Sequence, residues 1–257
     1  MIRLRAFWHL DPHNFGDTLT EWLLKRYGAE ITRAAPADAD LFAVGSVLDV
    51  APTNYAGIVW GTGLIRDIPR PLPHASILAV RGRLTASHIG HPNADLGDPG
   101  LLLPRHIHRA PTTHPLGVVP HKIHVDHHII THLREDPNIL IIDPREPVDI
   151  VVANITSCSA ILATSLHGLI TADAYNIPAC WADLPDKPLA GSRDFKFYDH
   201  ETAILDNGTP NRRVQLTPDT TIGDILLTVC KANPELVARS VDNLHTTITE
   251  TLRTWTT

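Results

Sequence analysis

The sequence predicts an α/β protein made of two Rossmann-type parallel-sheet domains, and three observations lead to this fold class. Short, continuously apolar runs bounded by Gly, Pro or Asp recur along the 257 residues, as is typical of strands buried on both faces of a parallel sheet. Helix-like segments alternate with these runs, as in βαβ units. A Pro- and His-rich stretch without periodicity, residues 104–115, separates two such series. We therefore place one domain at 1–111 and a second at 112–257.

The first half begins with a strand and a helix. LRAFWHL predicts the strand, and GDTLTEWLLKRYG predicts a helix that ends at Gly28, where a left-handed cap is expected. The apolar stripe of this helix is Leu19, Trp22, Leu23 and Tyr27. The runs DLFAVGSV, GIVWGTG and SILAVRG predict further strands, and RLTASHIG predicts a short helix.

The second half repeats the alternation. LGVVPH, NILIID, AILAT and IPACW predict strands, and DHHIITHLRED, PVDIVVANITSC and SLHGLITADAYN predict the helices between them. The segment RDFKFYDHETAI follows no pattern that assigns it to either type. The C-terminal region predicts a long helical stretch interrupted near Pro234, which we expect to pack back on the first domain.

Composition excludes several classes of protein. A hydrophobic content of 43% supports a real core, and a formal net charge of -6 without a Lys/Arg cluster argues against a nucleic-acid surface. The three cysteines form no CxxC pair, so neither a disulfide framework nor a thiolate zinc site is indicated. Because no apolar run is long enough to span a bilayer and the N-terminus lacks a signal-peptide core, we expect a soluble, cytoplasmic protein.

Polar motifs follow the ends of the predicted strands. In an open parallel sheet ligands bind beyond the carboxyl ends of the strands, so two facing sheets would line one cleft. The residues at such positions are Asn14, Gly16 and Asp17; Gly61, Thr62 and Gly63; Arg81 and Gly82; His121; and Thr164 to Gly168.

The stretch TSLHG places a histidine where a buried strand turns into a helix. Thr164 or Ser165 can act as the N-cap, and His167 then lies in the first turn, where free N–H groups favour an anion. His167 can there donate to a phosphate or move a proton; the alternative is a histidine that only caps its own helix or bonds in the core. Gly168 costs helix stability, which favours a close backbone approach at this turn.

Arg81 ends an apolar strand and can hold a carboxylate or phosphate through two parallel hydrogen bonds. The alternative is an inter-domain salt bridge. The nearby GTG lacks the third glycine of a dinucleotide fingerprint and the acidic residue at the next strand end, so we do not infer NAD.

Many of the sixteen histidines crowd into residues 105–132 and raise the possibility of a metal site. KIHVDHH is similar to the HxHxDH zinc motif of metallohydrolases, and His128 and His132 have the spacing that puts two ligands on one helix face. The first histidine of that motif is replaced by Lys122, and the surrounding pattern is βαβ. We therefore expect no metal ligands, with a metal-dependent hydrolase as the less favoured alternative.

An ordered set of motifs resembles the polysaccharide pyruvyl transferase family. NFGDTL, GTG, VRGRLT, LGDPGLLLP, VVPH, TSLHGLITADAYNIPACW and FKFYDH follow one another from about Asn14 to Asp199. The resemblance implies a GT-B-like pair of domains that face a central cleft. It also implies transfer of pyruvate from phosphoenolpyruvate to two sugar hydroxyls as a cyclic ketal, with no cofactor besides this donor. Within this family, the sequence is most similar to the exopolysaccharide or succinoglycan type of ketal pyruvate transferase.

The resemblance also implies roles for individual residues. Arg81 and His167 match the arginine and histidine that hold or activate phosphoenolpyruvate, and many members carry an arginine two residues before that histidine. Ser165 occupies this position here, so Lys196 or Arg193 would replace the missing charge.

On this basis we assign His167, Asp17 and His121 to catalysis, with His167 as proton donor or phosphate ligand and the other two as proton acceptors. The residues assigned to phosphoenolpyruvate binding are Arg81, Thr164, Ser165, His167, Gly168 and Lys196. Those assigned to the cleft and the acceptor are Asn14, Gly16, Gly61, Thr62 and Asp98.

Two other functions fit the same fold. A nucleotide-sugar glycosyltransferase would use a similar anion site, and Ser165 keeps open a non-catalytic relative that binds a glycan or a partner. The expected partners are phosphoenolpyruvate and a glycan or lipid-linked glycan, with peripheral membrane contact in the latter case. The sequence does not predict an oligomeric state.

Overall fold

The computed structural model describes residues 2–9 and 14–255. Its first half contains β1 (Ile2–Phe7), α1 (Phe15–Arg26), β2 (Ala29–Arg33), β3 (Leu41–Phe42), β4 (Ile58–Trp60), β5 (Ser76–Ala79) and α2 (Arg83–His88). A 3-10 helix at Pro99–Arg105 leads into the second half. Leu10, at the end of the predicted first strand, lies outside the described residues.

The second half contains β6 (His114–Val119), α3 (His128–Leu133), β7 (Ile139–Ile141), α4 (Val148–Thr156), β8 (Cys158–Ala163), α5 (Leu166–Ala174) and β9 (Ala179–Trp181). These elements confirm the predicted alternation of strands and helices. Three helices follow: α6 (Phe195–Ile204), α7 (Ile222–Thr228) and α8 (Pro234–Thr254). The segment RDFKFYDHETAI, unassigned from its pattern, contains α6.

Both sheets are parallel in every described pairing, which confirms two parallel-sheet units. The strand orders are β2-β1-β3-β4-β5 and β7-β6-β8-β9. In each sheet the second strand in sequence lies on one side of the first, and the third lies on the other side. Such a reversal separates the loops that follow the two central strands and opens a crevice for ligands at their carboxyl ends. The first sheet has this crevice between β1 and β3, and the second has it between β6 and β8.

The helix α1 shows how the local sequence sets the geometry near the first crevice. Asn14 caps the helix by accepting a 3.2 Å hydrogen bond from the Gly16 N–H, and Leu19 and Leu23 are buried on its inner face. Gly28 follows the helix with φ +81°, as predicted for a left-handed cap.

One apolar cluster spans both halves, and the C-terminal helices also join them. The largest buried cluster contains residues of both sheets and of α8. The Trp60 indole donates a 3.1 Å hydrogen bond to the Leu244 carbonyl of α8, and the Trp255 indole donates a 3.1 Å bond to the Arg3 carbonyl. The C-terminal helix therefore packs against the first sheet.

The predicted C-terminal helical region is two helices, because the chain between α7 and α8 is extended and Cys230 forms a bridge with Ala179 of β9. Among the described helices, none combines the length and apolar character that a membrane crossing requires.

Candidate active site

A cleft of about 430 Å³ lies where the carboxyl ends of the two sheets face each other. Its walls come from the segments after β1, β3, β6 and β8, the four strands that flank the two crevices. The loop after β4 and the helix α6 complete them. The lining residues are His9, Asn14, Asp17, Gly45, Ser46, Ile65, His121, Lys122, Ser165, Leu166, His167 and Lys196. The structure thus brings together six of the residues predicted from the sequence: Asn14, Asp17, His121, Ser165, His167 and Lys196.

A wider groove of about 660 Å³ lies on the outer surface against α2, α6 and α8. It is lined by Arg83, Glu201, Thr202, Arg239 and their neighbours and does not lie at the strand ends. We assign the chemistry to the smaller cleft, because it lies at the carboxyl ends of both sheets and holds Asp17, His167 and Lys196 near the start of α5.

His167 belongs to the second domain but is held by the first. Its ring lies edge-on to Phe15, with ring centroids 6.5 Å apart, and close to the backbones of Gly16 and Gly45. A Cβ atom on Gly16 would overlap the His167 Nδ1 atom. The site is therefore complete only when the two halves are packed together.

Lys196, on α6, is the buried cation of the cleft. It is only 8% exposed, and its ammonium group forms no ion pair or hydrogen bond with any described residue. Burial, helped by the positive charge of Arg81, lowers the pKa of Lys196 to about 8, although Asp17 and Asp183 act in the opposite direction. An unpaired ammonium beside the N-terminus of α5 creates a site for an anion.

Ser165 precedes α5 as its N-cap, but its side chain makes no capping hydrogen bond. It lines the cleft, and its hydroxyl has no described partner. The free hydroxyl and the first N–H groups of α5 are thus available to a ligand. Arg193, the other candidate for the missing charge, lies outside the cleft lining, with its Nε 3.3 Å from an oxygen of Asp183.

Asp17 is half-buried on the first turn of α1 and accepts a 2.8 Å hydrogen bond from the Asn14 amide. Burial raises the pKa of Asp17 above its usual range, although His167, His9 and Lys196 partly offset this effect. A carboxylate with a raised pKa is a better proton acceptor, which suits the predicted role.

His121 follows β6 and lines the cleft from the other side. Its Nδ1 accepts a 3.4 Å hydrogen bond from the Ile123 N–H, which leaves the proton of the neutral ring on Nε2. Burial, with Lys196 and His124 nearby, lowers the pKa of His121 to about 3. A base this weak accepts protons poorly near neutral pH, so its geometry suits a hydrogen-bond donor better than the predicted proton acceptor.

Arg81 lies one layer behind the cleft and has no exposed side-chain surface. Its guanidinium donates to Asp199 at 2.9 Å, to the Leu64 carbonyl at 2.6 Å and to the Ser46 hydroxyl. This is the inter-domain salt bridge that stood as the alternative. Direct contact with a donor molecule would require Ser46 to move, and the arginine supports the cleft wall through that serine.

Several predicted residues are likewise behind the lining. The Thr164 hydroxyl is buried between the His121 N–H and the His124 ring, both at 2.8 Å. The Thr62 hydroxyl donates a 2.8 Å bond to the Gly45 carbonyl. Gly61 has φ +78° and packs against Pro99. These three residues shape the loops that form the cleft and do not line it themselves.

Gly168 and Asp98 also support the cleft from behind. A Cβ atom on Gly168 would lie 2.7 Å from Val119 of β6, so this glycine allows α5 to approach the sheet. Asp98 is fully buried next to His167, with its Oδ2 atom 3.6 Å from the His167 Nε2 atom. The acceptor contact predicted for Asp98 is not part of this geometry.

Several histidines of the histidine-rich segment are held by hydrogen bonds. His124 is buried, with its ring nitrogens 2.8 Å from the Thr164 hydroxyl and the Lys187 carbonyl. In the described residues, His127, His128 and Asp186 are the group whose ligand atoms lie close enough for one metal ion. His127 Nδ1 accepts the Ile129 N–H at 3.3 Å and Nε2 faces Asp186, so the neutral ring has no lone pair left for a metal.

Sequence reasoning missed Ser46 and His9, although both lie in the cleft lining. Ser46 follows β3 just as Asn14 follows β1, so the same strand-end rule would have found it. The predicted strand DLFAVGSV included Ser46, but β3 ends at Phe42, and the chain turns at Gly45 with φ +96°. His9 lay inside the predicted strand LRAFWHL, whereas β1 ends at Phe7.

Comparison with known proteins identifies the family. The family model described as polysaccharide pyruvyl transferase matches residues 6–183, which include all of β1 to β9 except the start of β1. The chain is 29% identical over 182 residues to the succinoglycan biosynthesis protein ExoV of Rhizobium meliloti (strain 1021), covering 67% of this chain and 57% of that protein.

It is 30% identical over 169 residues to the uncharacterized protein L143 of Acanthamoeba polyphaga mimivirus, covering 61% of this chain and 57% of L143. The match thus spans little more than half the length of either relative. The family model alone covers more than half of the chain and confirms the resemblance drawn from its motifs. The chain belongs to the polysaccharide pyruvyl transferase family.

Proposed function

We propose that the protein transfers pyruvate from phosphoenolpyruvate to two hydroxyls of a sugar in a polysaccharide or glycolipid precursor, forming a cyclic ketal. The family supports pyruvate transfer, and the name of the Rhizobium relative connects that protein with succinoglycan biosynthesis. A GT-B-like arrangement is part of the proposal, because it is supported by two parallel sheets whose carboxyl ends face one cleft.

The observation that carries the proposal is the buried ammonium of Lys196, which has no ion-pair partner within residues 2–9 and 14–255. Phosphoenolpyruvate has a phosphate and a carboxylate, and the cleft offers the Lys196 ammonium, the free Ser165 hydroxyl and the N-terminus of α5. Lys196 lines the same cleft as Ser165. It thus supplies the positive charge that many family members obtain from an arginine at the position of Ser165. Arg193 does not, because it lies outside the lining and beside Asp183.

The reaction uses groups on both sides of the cleft. Protonated His167 gives a proton to the methylene carbon of the donor, which becomes a methyl group, and the neighbouring carbon becomes electron-poor. A sugar hydroxyl adds to that carbon and its proton passes to Asp17. The C–O bond to phosphate then breaks with the electron pair on phosphate, which takes up the proton held by Asp17. The second hydroxyl closes the ketal as its proton passes back to His167.

The chain needs no resident cofactor for these steps, since the donor itself carries the leaving group. Phosphoenolpyruvate is a metabolite of the cytoplasm, so we propose that the protein works there. A lipid-linked acceptor would bring it to the membrane surface.

Donor binding tests the proposal against its main rival. We expect phosphoenolpyruvate to raise Tm in a thermal-shift measurement, because a ligand that binds only the folded state stabilises it. UDP and GDP should give no shift. A shift with UDP or GDP but none with phosphoenolpyruvate would establish a nucleotide-sugar glycosyltransferase, and no shift with any donor would favour a binding protein without catalysis.

Zinc analysis of tag-free protein tests the remaining rival. Stoichiometric zinc would contradict the proposal and indicate a metallohydrolase.

A further inference from the structure

Two buried polar atoms face each other behind the cleft without a hydrogen bond. The Asp98 Oδ1 atom accepts a 2.8 Å bond from the Gly100 N–H, but its Oδ2 atom has no described hydrogen-bond partner. The same is true of the His167 Nε2 atom, which lies 3.6 Å from that oxygen. Asp98 itself is completely buried.

The negative charge of Asp98 favours a hydrogen bond from His167 to its Oδ2 atom. Burial raises the pKa of Asp98, but the neighbouring His167, the Gly100 N–H and Arg81 outweigh burial and leave that pKa below its usual range. Burying a carboxylate oxygen without a hydrogen-bond donor costs free energy, and the His167 imidazole can supply an N–H to the Asp98 Oδ2 atom. A shift of well under 1 Å would bring the two atoms to hydrogen-bond distance.

The other ring nitrogen of His167 faces a different environment. Nδ1 lies beside the backbone of Gly16 in the cleft wall and makes no hydrogen bond with any described residue. If Nε2 carries a proton toward Asp98, Nδ1 is the atom left to exchange a proton with a ligand. A carboxylate behind a histidine fixes the tautomer and ring orientation in this way in other enzymes.

We infer that Asp98 is a positioning residue for His167. Asp98 keeps the proton of the neutral His167 ring on Nε2, so that Nδ1 faces the donor. Asp98 comes from the first domain and His167 from the second, so domain packing and the proton position are coupled. The catalytic consequence rests on the proposed function, whereas the tautomer itself does not.

The test is a measurement of the His167 tautomer, which needs neither donor nor turnover. Protein labelled with ¹⁵N-histidine is studied by long-range ¹H–¹⁵N correlation at alkaline pH, where histidine is neutral. The His167 signals are assigned by their loss in His167→Ala. We expect protonated Nε2 and unprotonated Nδ1 in the wild type. The reverse tautomer in the wild type would overturn the inference.

The matched variants are Asp98→Asn and Asp95→Asn. In Asp98→Asn the carbonyl can keep the Gly100 bond while the amide NH₂ faces Nε2, so the proton should move to Nδ1. Asp95 is exposed and accepts a 3.1 Å bond from Asn243, so Asp95→Asn should keep the wild-type tautomer. A wild-type tautomer in folded Asp98→Asn contradicts the inference. If that variant does not fold, the wild-type spectrum still decides.

Kinetics adds a second readout once turnover is established. We expect Asp98→Asn to lower kcat roughly 100-fold or more while KM for the donor and Tm change little, because a group acting in proton transfer contributes at that scale. A purely structural ion pair would lower Tm and leave kcat of the folded protein unchanged. Absence of any turnover of phosphoenolpyruvate, with the tautomer as expected, counts against the proposed function and leaves the positioning role of Asp98 supported.

Discussion

At the scale of single residues, Lys196 combines a functional advantage with a structural cost. Its ammonium is buried without a carboxylate partner among the described residues, which is unfavourable until an anion arrives. Functional sites often retain groups that reduce stability in this way. The stability and the donor affinity of the protein should therefore respond to this residue in opposite directions.

The first prediction concerns Lys196→Met, which removes the charge and keeps most of the side-chain volume. A pKa of about 8 in place of 10.5 corresponds to a cost on the order of 3 kcal/mol at pH 7. We expect calorimetry to show a Tm several degrees higher for the variant without ligand. The gain should shrink as pH rises above about 8, because the wild-type amine is then neutral in the folded state. The control is Lys231→Met, because Lys231 is exposed. Equal Tm values at pH 7 for the wild type, Lys196→Met and Lys231→Met would contradict the account.

The second prediction concerns the pH dependence of donor affinity. The anion favours protonated Lys196, so binding below about pH 8 needs no proton uptake, whereas binding above that pH does. We expect isothermal titration calorimetry to give a Kd for phosphoenolpyruvate that rises by up to tenfold per pH unit above about 8. Lys196→Met should bind weakly and show no such rise. An affinity that stays constant up to pH 10 in the wild type would exclude Lys196 as the donor ligand.

At the scale of secondary-structure elements, the N-termini of α1 and α5 approach each other across the cleft. Gly16, on the first turn of α1, lies against the His167 ring on the first turn of α5. Only a residue without a Cβ atom permits this approach. The contact places the half-buried Asp17 near the histidine and joins the two domains at the site.

The third prediction is that Gly16→Ala displaces His167. The added methyl group overlaps Nδ1, so the ring must turn away from its position between Asp98 and the cleft. We expect a steady-state assay to show at least a tenfold loss in kcat, since small misplacements of a catalytic group are costly. Gly223→Ala, in α7, meets only ordinary contacts and serves as control. Wild-type kcat in Gly16→Ala would argue against a role for His167 Nδ1.

The elements differ in how far the sequence predicts them. Strands buried in the sheets and the helices between them were predicted because their apolar periodicity is local. The edge strand β2 was missed because only Ala29 of its five residues is buried, so no apolar run marks it. The helix α6 was not assigned because it buries charged residues, including Lys196 and Asp199. The partner of Asp199 is Arg81, which lies far away in sequence.

The candidate site follows the same division. His167, Asp17, Ser165 and Lys196 were predicted, since strand ends and family motifs are visible along the chain. The sequence could not show that Arg81 is engaged by Asp199, because this contact joins residues 118 positions apart.

At the scale of the whole molecule, α6 connects the two halves with buried charges. Asp199 binds Arg81 of the first domain at 2.9 Å and also accepts hydrogen bonds from the Thr85 hydroxyl and N–H. The next residue, His200, contacts Asp173 of α5 at 2.9 Å. Lys196 lies on the same helix, so the buried contacts of Asp199 and His200 also position the Lys196 ammonium in the cleft.

The fourth prediction is that Asp199→Asn destabilises the whole protein. It leaves the fully buried Arg81 without its counter-charge, and breaking a buried pair in this way costs about 3–5 kcal/mol. Denaturant unfolding should show this loss. Asp242→Asn, which breaks an exposed 3.4 Å pair with Arg105, should change the free energy of unfolding by less than about 1 kcal/mol. Equal stability of the two variants would show that the Arg81–Asp199 pair does not hold the domains.

Product analysis tests the central claim most directly. The protein is incubated with phosphoenolpyruvate and candidate glycans, and the products are analysed by mass spectrometry and for free phosphate. We predict a glycan that gains a pyruvate ketal with release of one phosphate per ketal, and loss of this product in His167→Ala but not in His132→Ala, whose histidine is exposed on α3. Wild-type yield from His167→Ala, or transfer of a sugar from a nucleotide donor in place of pyruvate, would contradict the account.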